Sequence, residues 1–345
     1  MNIAYLLSSF FITGFSLLAL KPLATKVGLV DIPGGRKTHT GATPLVGGLG
    51  IFLGILCVST VTPGVLSQFG PLLSLSALVL FMGTVDDAKE LSAFARLTGH
   101  TLLALVMAVA VDVQLTSLGN LFYLGTIDLG LLSITVTVFA TVGVINAINM
   151  ADGIDGLSGG LVIVALGFIA LLALNNNNIQ LASFVVVMIC SISAFLSLNF
   201  RRPWNKKALI YLGDAGSTML GFMLAWLMIE SSQGAEAIFA PVYALWFLAV
   251  PLFDTINLLI KRPLRGVSPV TPGTDHLHHA LLSRGLSVVQ VVTLLLAVSV
   301  SFGGIALVGR SLGVSESSMF LLFICLFAIY FAFSDRIRVA DSNTL

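Results

Sequence analysis

Four polar clusters interrupt an otherwise oily sequence, and their residue types limit the chemistry each can do. Asp86 and Asp87 stand side by side in GTVDDAKELSAFARL. Adjacent carboxylates at a bilayer edge repel each other and are costly to desolvate, and a bound divalent cation relieves both problems. The structural alternative is a solvated helix end. Asn146, Asn149, Asp152 and Asp155 recur every three residues in NAINMADGIDGLSGG. Steps of three turn about 300° on a helix, so the four wind around it unless the helix ends. Gly153 and Gly156 let the backbone leave the helix there. Carboxylates and exposed backbone amides at that point make a pocket suited to a sugar nucleotide. LGDAGSTMLGF, residues 212–222, opens another apolar run with Gly213, Asp214, Gly216 and Ser217. Asp and Ser are ordinary N-cap residues. A helix N-terminus also offers free N–H groups to phosphate, and Asp214 can turn outward to a metal that bridges to that phosphate. TPGTDHLHHAL carries His276, His278 and His279. Three histidines in four residues point to phosphate contact or acid–base work; zinc needs a fourth ligand, and no cysteine is near.

Three lesser features accompany these. Arg36, Lys37 and His39 in GGRKTHTGATPLVGG can meet an anion, or simply mark a basic loop. Asp254 in PLFDTINLLIKR is an acid within an apolar run, a functional suspect by default, with an ion pair to Lys261 or Arg262 as the structural alternative. The basic group in NFRRPWNKKALIYLGD can meet anionic head groups or again only mark one side.

These clusters must be positioned by membrane helices. The chain has 345 residues, 57% of them hydrophobic and 10% charged, against about 25% charged in an average soluble domain. Mean hydropathy is +1.02. The continuous apolar runs lack the alternation of a β-barrel. The expected fold is therefore an all-α polytopic membrane protein, one integral-membrane domain over residues 1–345. About eleven helices are expected: 3–20, 45–62, 70–85, 98–113, 131–148, 161–174, 181–199, 214–232, 239–260, 288–309 and 318–334. The first run has neither a basic start nor a cleavage signature and reads as a retained helix. Cys57, Cys190 and Cys325 read as small buried hydrophobes. Alternating the loops puts sixteen of the seventeen Lys and Arg residues on one side and leaves Arg310 on the other. That side is therefore expected to be cytoplasmic, with the N-terminus outside and the C-terminus and active-site cleft inside. A net charge of +1 offers no general attraction for nucleic acid.

In order along the chain, VGLVD, RKTHTGATPLVGG, VDD, INAINMADGIDGL, LGDAGST, PLFDT and HLHH resemble the polyprenyl-phosphate N-acetylhexosamine-1-phosphate transferases. The resemblance covers nearly the whole chain. It is strongest to the bacterial branch that moves N-acetylglucosamine 1-phosphate from UDP-GlcNAc to undecaprenyl phosphate, releases UMP and opens O-antigen-type polysaccharide synthesis. The resemblance implies Mg²⁺, with Mn²⁺ as a substitute, on Asp87 and Asp214. It places Asp86 near the lipid phosphate. It assigns Asn149, Asp152, Gly153 and Asp155 to the nucleotide sugar and Tyr211 to a position that stacks on uracil in the sister, peptidoglycan-precursor branch. It puts Asn199 near the metal and makes His278 and His279 catalytic or phosphate-binding. Lys37, Asn146 and His276 are further substrate-binding candidates. The family often has Asp-Arg before the first histidine, where this chain reads Gly273-Thr274-Asp275.

The expected reaction joins two anions, so cation chemistry and positioning carry it. The lipid phosphate, with a second pKa near ~6, is already largely dianionic at neutral pH. Direct in-line attack is favoured, and a phospho-aspartate route stays open. Expected partners are a UDP-N-acetyl sugar, undecaprenyl phosphate, membrane lipids and a second copy of the chain, in the bacterial inner membrane. Two alternatives stand beside this reading: the same reaction with another UDP-N-acetyl sugar, including the peptidoglycan-precursor branch, and an ion-coupled transporter. A transporter favours repeated halves with midplane acids, whereas here the polar groups gather at one face.

Overall fold

Apolar runs in lipid must satisfy their own backbone, which selects helices. The computed structural model describes residues 3–31, 42–201, 207–268 and 273–338, and these form an all-α polytopic membrane protein. The helices are α1 (Ile3–Val27), α2 (Gly47–Val61), α3 (Val65–Lys89), α4 (Ala93–Ala110), α5 (Ser133–Met150), α6 (Leu157–Asn175) and α7 (Ile179–Asn199). They continue as α8 (Gly213–Glu230), α9 (Val242–Phe247), α10 (Ala249–Leu264), α11 (Leu277–Ser283), α12 (Val288–Ser311) and α13 (Glu316–Arg338). Two short strands, β1 (Val30–Asp31) and β2 (Thr43–Pro44), pair antiparallel. All eleven expected runs are helical, and eight helices among the described residues are long and apolar enough to cross a membrane.

The other three runs differ for physical reasons. The second, α2, has only 15 residues. The ninth breaks at Leu248 into α9 and α10, with Pro251 in the first turn of α10, where a missing N–H is harmless. The eighth, α8, is sheathed by protein: every residue from Ala215 to Ile229 is buried, so it need not be apolar towards lipid. It packs against α2, α3, α5 and α6. Small residues allow that close approach. A Cβ on Gly48 of α2 would collide with the backbone of Gly216, and one on Gly83 of α3 with that of Ala215. The first N–H groups of α2 are satisfied across the chain, Gly47 by the Tyr211 carbonyl at 2.9 Å and Gly48 by that of Leu212 at 3.1 Å.

The cysteines correct an expectation. All three are free, but Cys57 and Cys325 are exposed on the helix surface and Cys190 is half-buried. At the end of the bundle remote from the acids, the segment between α4 and α5 is fastened by side chains. Gln233 accepts from the N–H groups of Thr116 and Ser117, both at 3.0 Å, and Glu316 from that of Asn120 at 2.8 Å.

Candidate active site

Asp87 lies one turn beyond Gly83 on the same face of α3, and the Gly83 contact carries its carboxylate to the start of α8. There Oδ1 accepts from the Asp214 N–H at 2.8 Å and Oδ2 from the Ala215 N–H at 3.1 Å. Asp87 thus satisfies two of the orphan donors of a neighbouring helix, where negative charge is favoured. Gly213 makes the approach possible: its φ of +77° suits glycine, and a Cβ there would press on Asp87 Oδ2.

Asp214 itself is the acid that faces outward, 38% exposed. Its Oδ1 accepts from Asn149 Nδ2 at 2.7 Å, and the same amide donates to Ser217 Oγ at 2.9 Å. Asp86 is 5% exposed and already engaged. Its Oδ1 accepts from the Leu91 N–H at 2.7 Å and its Oδ2 from Arg96 Nη1 at 3.1 Å. The Arg96 guanidinium also stands 3.6 Å from Asp214 Oδ2. Arg96 belongs to none of the polar motifs. The signal that locates it is its place in the first turn of α4, where Ser92 caps the helix by accepting from Ala95 N. His100, one turn further along α4 and 4% exposed, is a second neighbour that no motif indicated.

The loop after α5 completes this side. Burial pushes the Asp152 carboxyl well above the usual carboxylate range, and the charges of Asp214, Asp87 and Asp155 add to the shift. Asp155 is paired with Arg201 Nε. Asn146 does not reach the acids; its amide donates to Val142 O of its own helix at 2.7 Å. Asn199 is 4% exposed, and both ends of its amide go to backbone. Its Oδ1 accepts from Gly156 N at 2.7 Å and its Nδ2 donates to Ile210 O at 2.9 Å. It therefore pins the 151–156 loop to the segment leading into α8. Tyr211 bridges to Leu45 in that segment, and burial, then the Asp155 charge, raises its phenol above the ordinary value. Lys37 lies outside the described residues, with Arg36 and His39.

The histidines form an adjoining corner. Asp254 feels the charge of Arg262, as one of the two sequence alternatives had it, and its carboxylate is anchored in the histidine corner. Its Oδ2 lies 2.8 Å from His276 Nδ1, and its Oδ1 accepts from the Leu277 N–H at 2.9 Å, fixing the start of α11. Lys261 instead meets Asp335 at 2.8 Å. Arg262 grips Asp275 with two hydrogen bonds, Nε to Oδ2 at 3.0 Å and Nη2 to Oδ1 at 2.6 Å. Where the family often has Asp-Arg, this chain therefore sets an arginine from α10 beside the histidines. Gly273 is small because a Cβ there would press on both members of the pair, 2.5 Å from Asp275 and 2.9 Å from Arg262. His278 is 2% exposed and packs its Nε2 against Gly153, without a hydrogen-bond partner. Burial lowers its pKa to about 3, with the His279 charge adding, so it is a neutral imidazole. His279 is half-buried, and burial lowers its pKa as well.

The structure thus gathers Asp86, Asp87, Asn149 and Asp214 from three helices, with Asp152 near them and His278 packed against the neighbouring Gly153. Among the described residues, no group of three or more His, Cys, Asp or Glu side chains lies close enough to hold a metal ion. Asp87 and Asp214 nevertheless fit Mg²⁺. Both are hard oxygen donors, and Mg²⁺ typically takes one or two carboxylates and completes its shell with water and substrate phosphate.

A family model described as glycosyl transferase family 4 matches residues 70–232, the stretch that holds every acid of this cluster. Three curated relatives carry the description undecaprenyl-phosphate alpha-N-acetylglucosaminyl 1-phosphate transferase. That of Haemophilus influenzae is 37% identical over 317 residues, covering 91% of this chain and 89% of the relative. That of Yersinia pestis is 34% identical over 315 residues, covering 91% and 86%. That of Escherichia coli K12 is 34% identical over 328 residues, covering 94% and 89%.

Proposed function

This chain belongs to glycosyl transferase family 4, and from that premise we propose that it transfers N-acetylglucosamine 1-phosphate from UDP-GlcNAc to undecaprenyl phosphate. The observation that carries the proposal is the seating of Asp87 on the first amides of α8, which sets it beside Asp214, Asn149 and Arg96. One lipid-phosphate oxygen attacks the phosphorus attached to the sugar, the bond from that phosphorus to the UMP oxygen breaks, and the products are undecaprenyl-pyrophosphoryl-GlcNAc and UMP. Mg²⁺ held by Asp87 and Asp214 would neutralise the two reacting phosphates.

The chain's own residues supply the rest. Asn149 orients Asp214, and Asp86 holds Arg96 beside the reaction centre. The Asp152–Asp155 loop faces the nucleotide sugar, with His278 packed behind Gly153 and Asn199 pinning its far end. An acceptor phosphate that is already dianionic needs no strong base, which supports direct attack. The basic loops support a cytoplasmic site in the bacterial inner membrane, and the product supports a place at the start of cell-surface polysaccharide assembly. Incubating purified protein with UDP-GlcNAc, undecaprenyl phosphate and Mg²⁺, then measuring UMP, tests the proposal. No UMP with this donor, or unchanged release after complete chelation, refutes the donor or the metal respectively.

A further inference from the structure

Asp86, Asp87 and Asp214 are held by hydrogen bonds at all but one of their carboxylate oxygens. Both Asp87 oxygens accept backbone N–H groups of α8, both Asp86 oxygens are taken by Leu91 and Arg96, and Asp214 Oδ1 is taken by Asn149. The remaining oxygen, Asp214 Oδ2, faces the Arg96 guanidinium at 3.6 Å, and the Asp86 carboxyl lies against the same Asp214 side chain. Arg96 gains nothing from its own helix, because a cation in the first turn opposes the macrodipole. Its position is explained by the acids it bridges.

We infer that Arg96 is the resident cation of this cluster and competes with a divalent ion for Asp214. The inference rests on the metal assignment proposed above. A divalent ion bound about 2 Å from Oδ2 would sit within about 6 Å of the guanidinium, at a separation where like charges repel strongly. Arg96 must then give up Asp214. Its anchor on Asp86, itself fixed by the Leu91 amide, keeps it in the site, where it is free to face an incoming phosphate. The arrangement keeps the acids compatible before the ion arrives and weakens ion binding until substrate phosphate adds its own oxygens.

Mn²⁺ alone is the probe. Its binding to purified full-length protein is followed by loss of the free-ion EPR signal, and thermal unfolding is recorded with and without it. Arg96→Gln is expected to bind Mn²⁺ about tenfold more tightly than wild type, equivalent to ~1.4 kcal/mol. Its metal-free unfolding midpoint falls, and Mn²⁺ restores it. Arg96→Lys, which keeps the charge, stays within about twofold of wild type. Arg96→Met, which keeps the aliphatic stem, carries the same expectation as Arg96→Gln if that variant does not fold. Equal or weaker Mn²⁺ affinity in the neutral variants, with an intact Asp214-dependent site in wild type, overturns the role of Arg96 alone. Absence of any saturable Mn²⁺ binding that Asp214→Asn abolishes overturns both this inference and the metal assignment.

Discussion

The acid cluster of α3, α5 and α8 and the histidine corner of α10 and α11 use similar residue types in opposite ways. In the cluster, the carboxylate of Asp214 faces outward and Arg96 beside it is 36% exposed. In the corner, the acids are held by the protein: Asp254 by His276 and Leu277, Asp275 by Arg262. His278 has no hydrogen-bond partner for Nε2 and no exposure to speak of. The difference separates residues that can meet a reactant from residues that hold the site in shape. Of the three histidines, His279 is the one left with accessible surface for substrate.

The largest expected effect falls on the cluster. Asp87→Asn and Asp214→Asn should each lower UMP release by about 10³-fold; Asp214→Asn leaves thermal unfolding near that of wild type, whereas Asp87→Asn also costs about 1–3 kcal/mol because one α8 amide loses its acceptor. Asn at position 87 still offers one acceptor to the α8 amides, so a variant that folds and remains fully active would erase the contrast between the two regions. Next comes the contact that delivers Asp87. Gly83→Val must force α3 away from Ala215, costing about 1–3 kcal/mol, and activity should fall more than stability explains. Thermal unfolding and UMP release on the same sample check this.

The corner should respond in stability first. Asp254→Asn weakens the acceptor for His276 and Leu277 and is expected to cost about 1–3 kcal/mol, with a smaller loss of activity than either cluster variant. A loss as large as that of Asp214→Asn would move the corner into the reacting centre. The smallest effect is a pH slope. His278 titrates near 3 when folded and at an ordinary value of 6.5 when unfolded. Between those values the unfolded chain binds more protons, so His278 makes stability fall as pH drops below about 6.5 and has no influence above it. Unfolding midpoints measured from pH 7.5 to 5 should decline less steeply in His278→Gln than in wild type.

Much of this was legible in the residues themselves. Eleven apolar runs became helices because lipid leaves the backbone no other local solution, and the DD, Asn-rich and Gly-Asp motifs did converge. What was not legible concerns partners. Asn146 and Asn149 sit one turn apart with the same side chain, yet one bonds its own helix and the other reaches Asp214. Sequence proximity offers Asp254 the nearby Lys261 and Arg262, and it does feel the Arg262 charge, but its short contact is to His276, 22 residues away. The break at Leu248 was hidden because an apolar run reads alike whether it is one helix or two.

By itself, the sequence determined the membrane setting, the helix positions and the residue types able to handle phosphate, because hydropathy and local conformational preference act over a few residues. Only the tertiary structure decided that Asp87 caps α8, that Asp86 holds Arg96, and that His278 lies under Gly153. Those outcomes depend on how closely helices far apart in the chain can approach, which is set by single missing side chains such as those of Gly48 and Gly83. No local pattern encodes which distant helix will meet them.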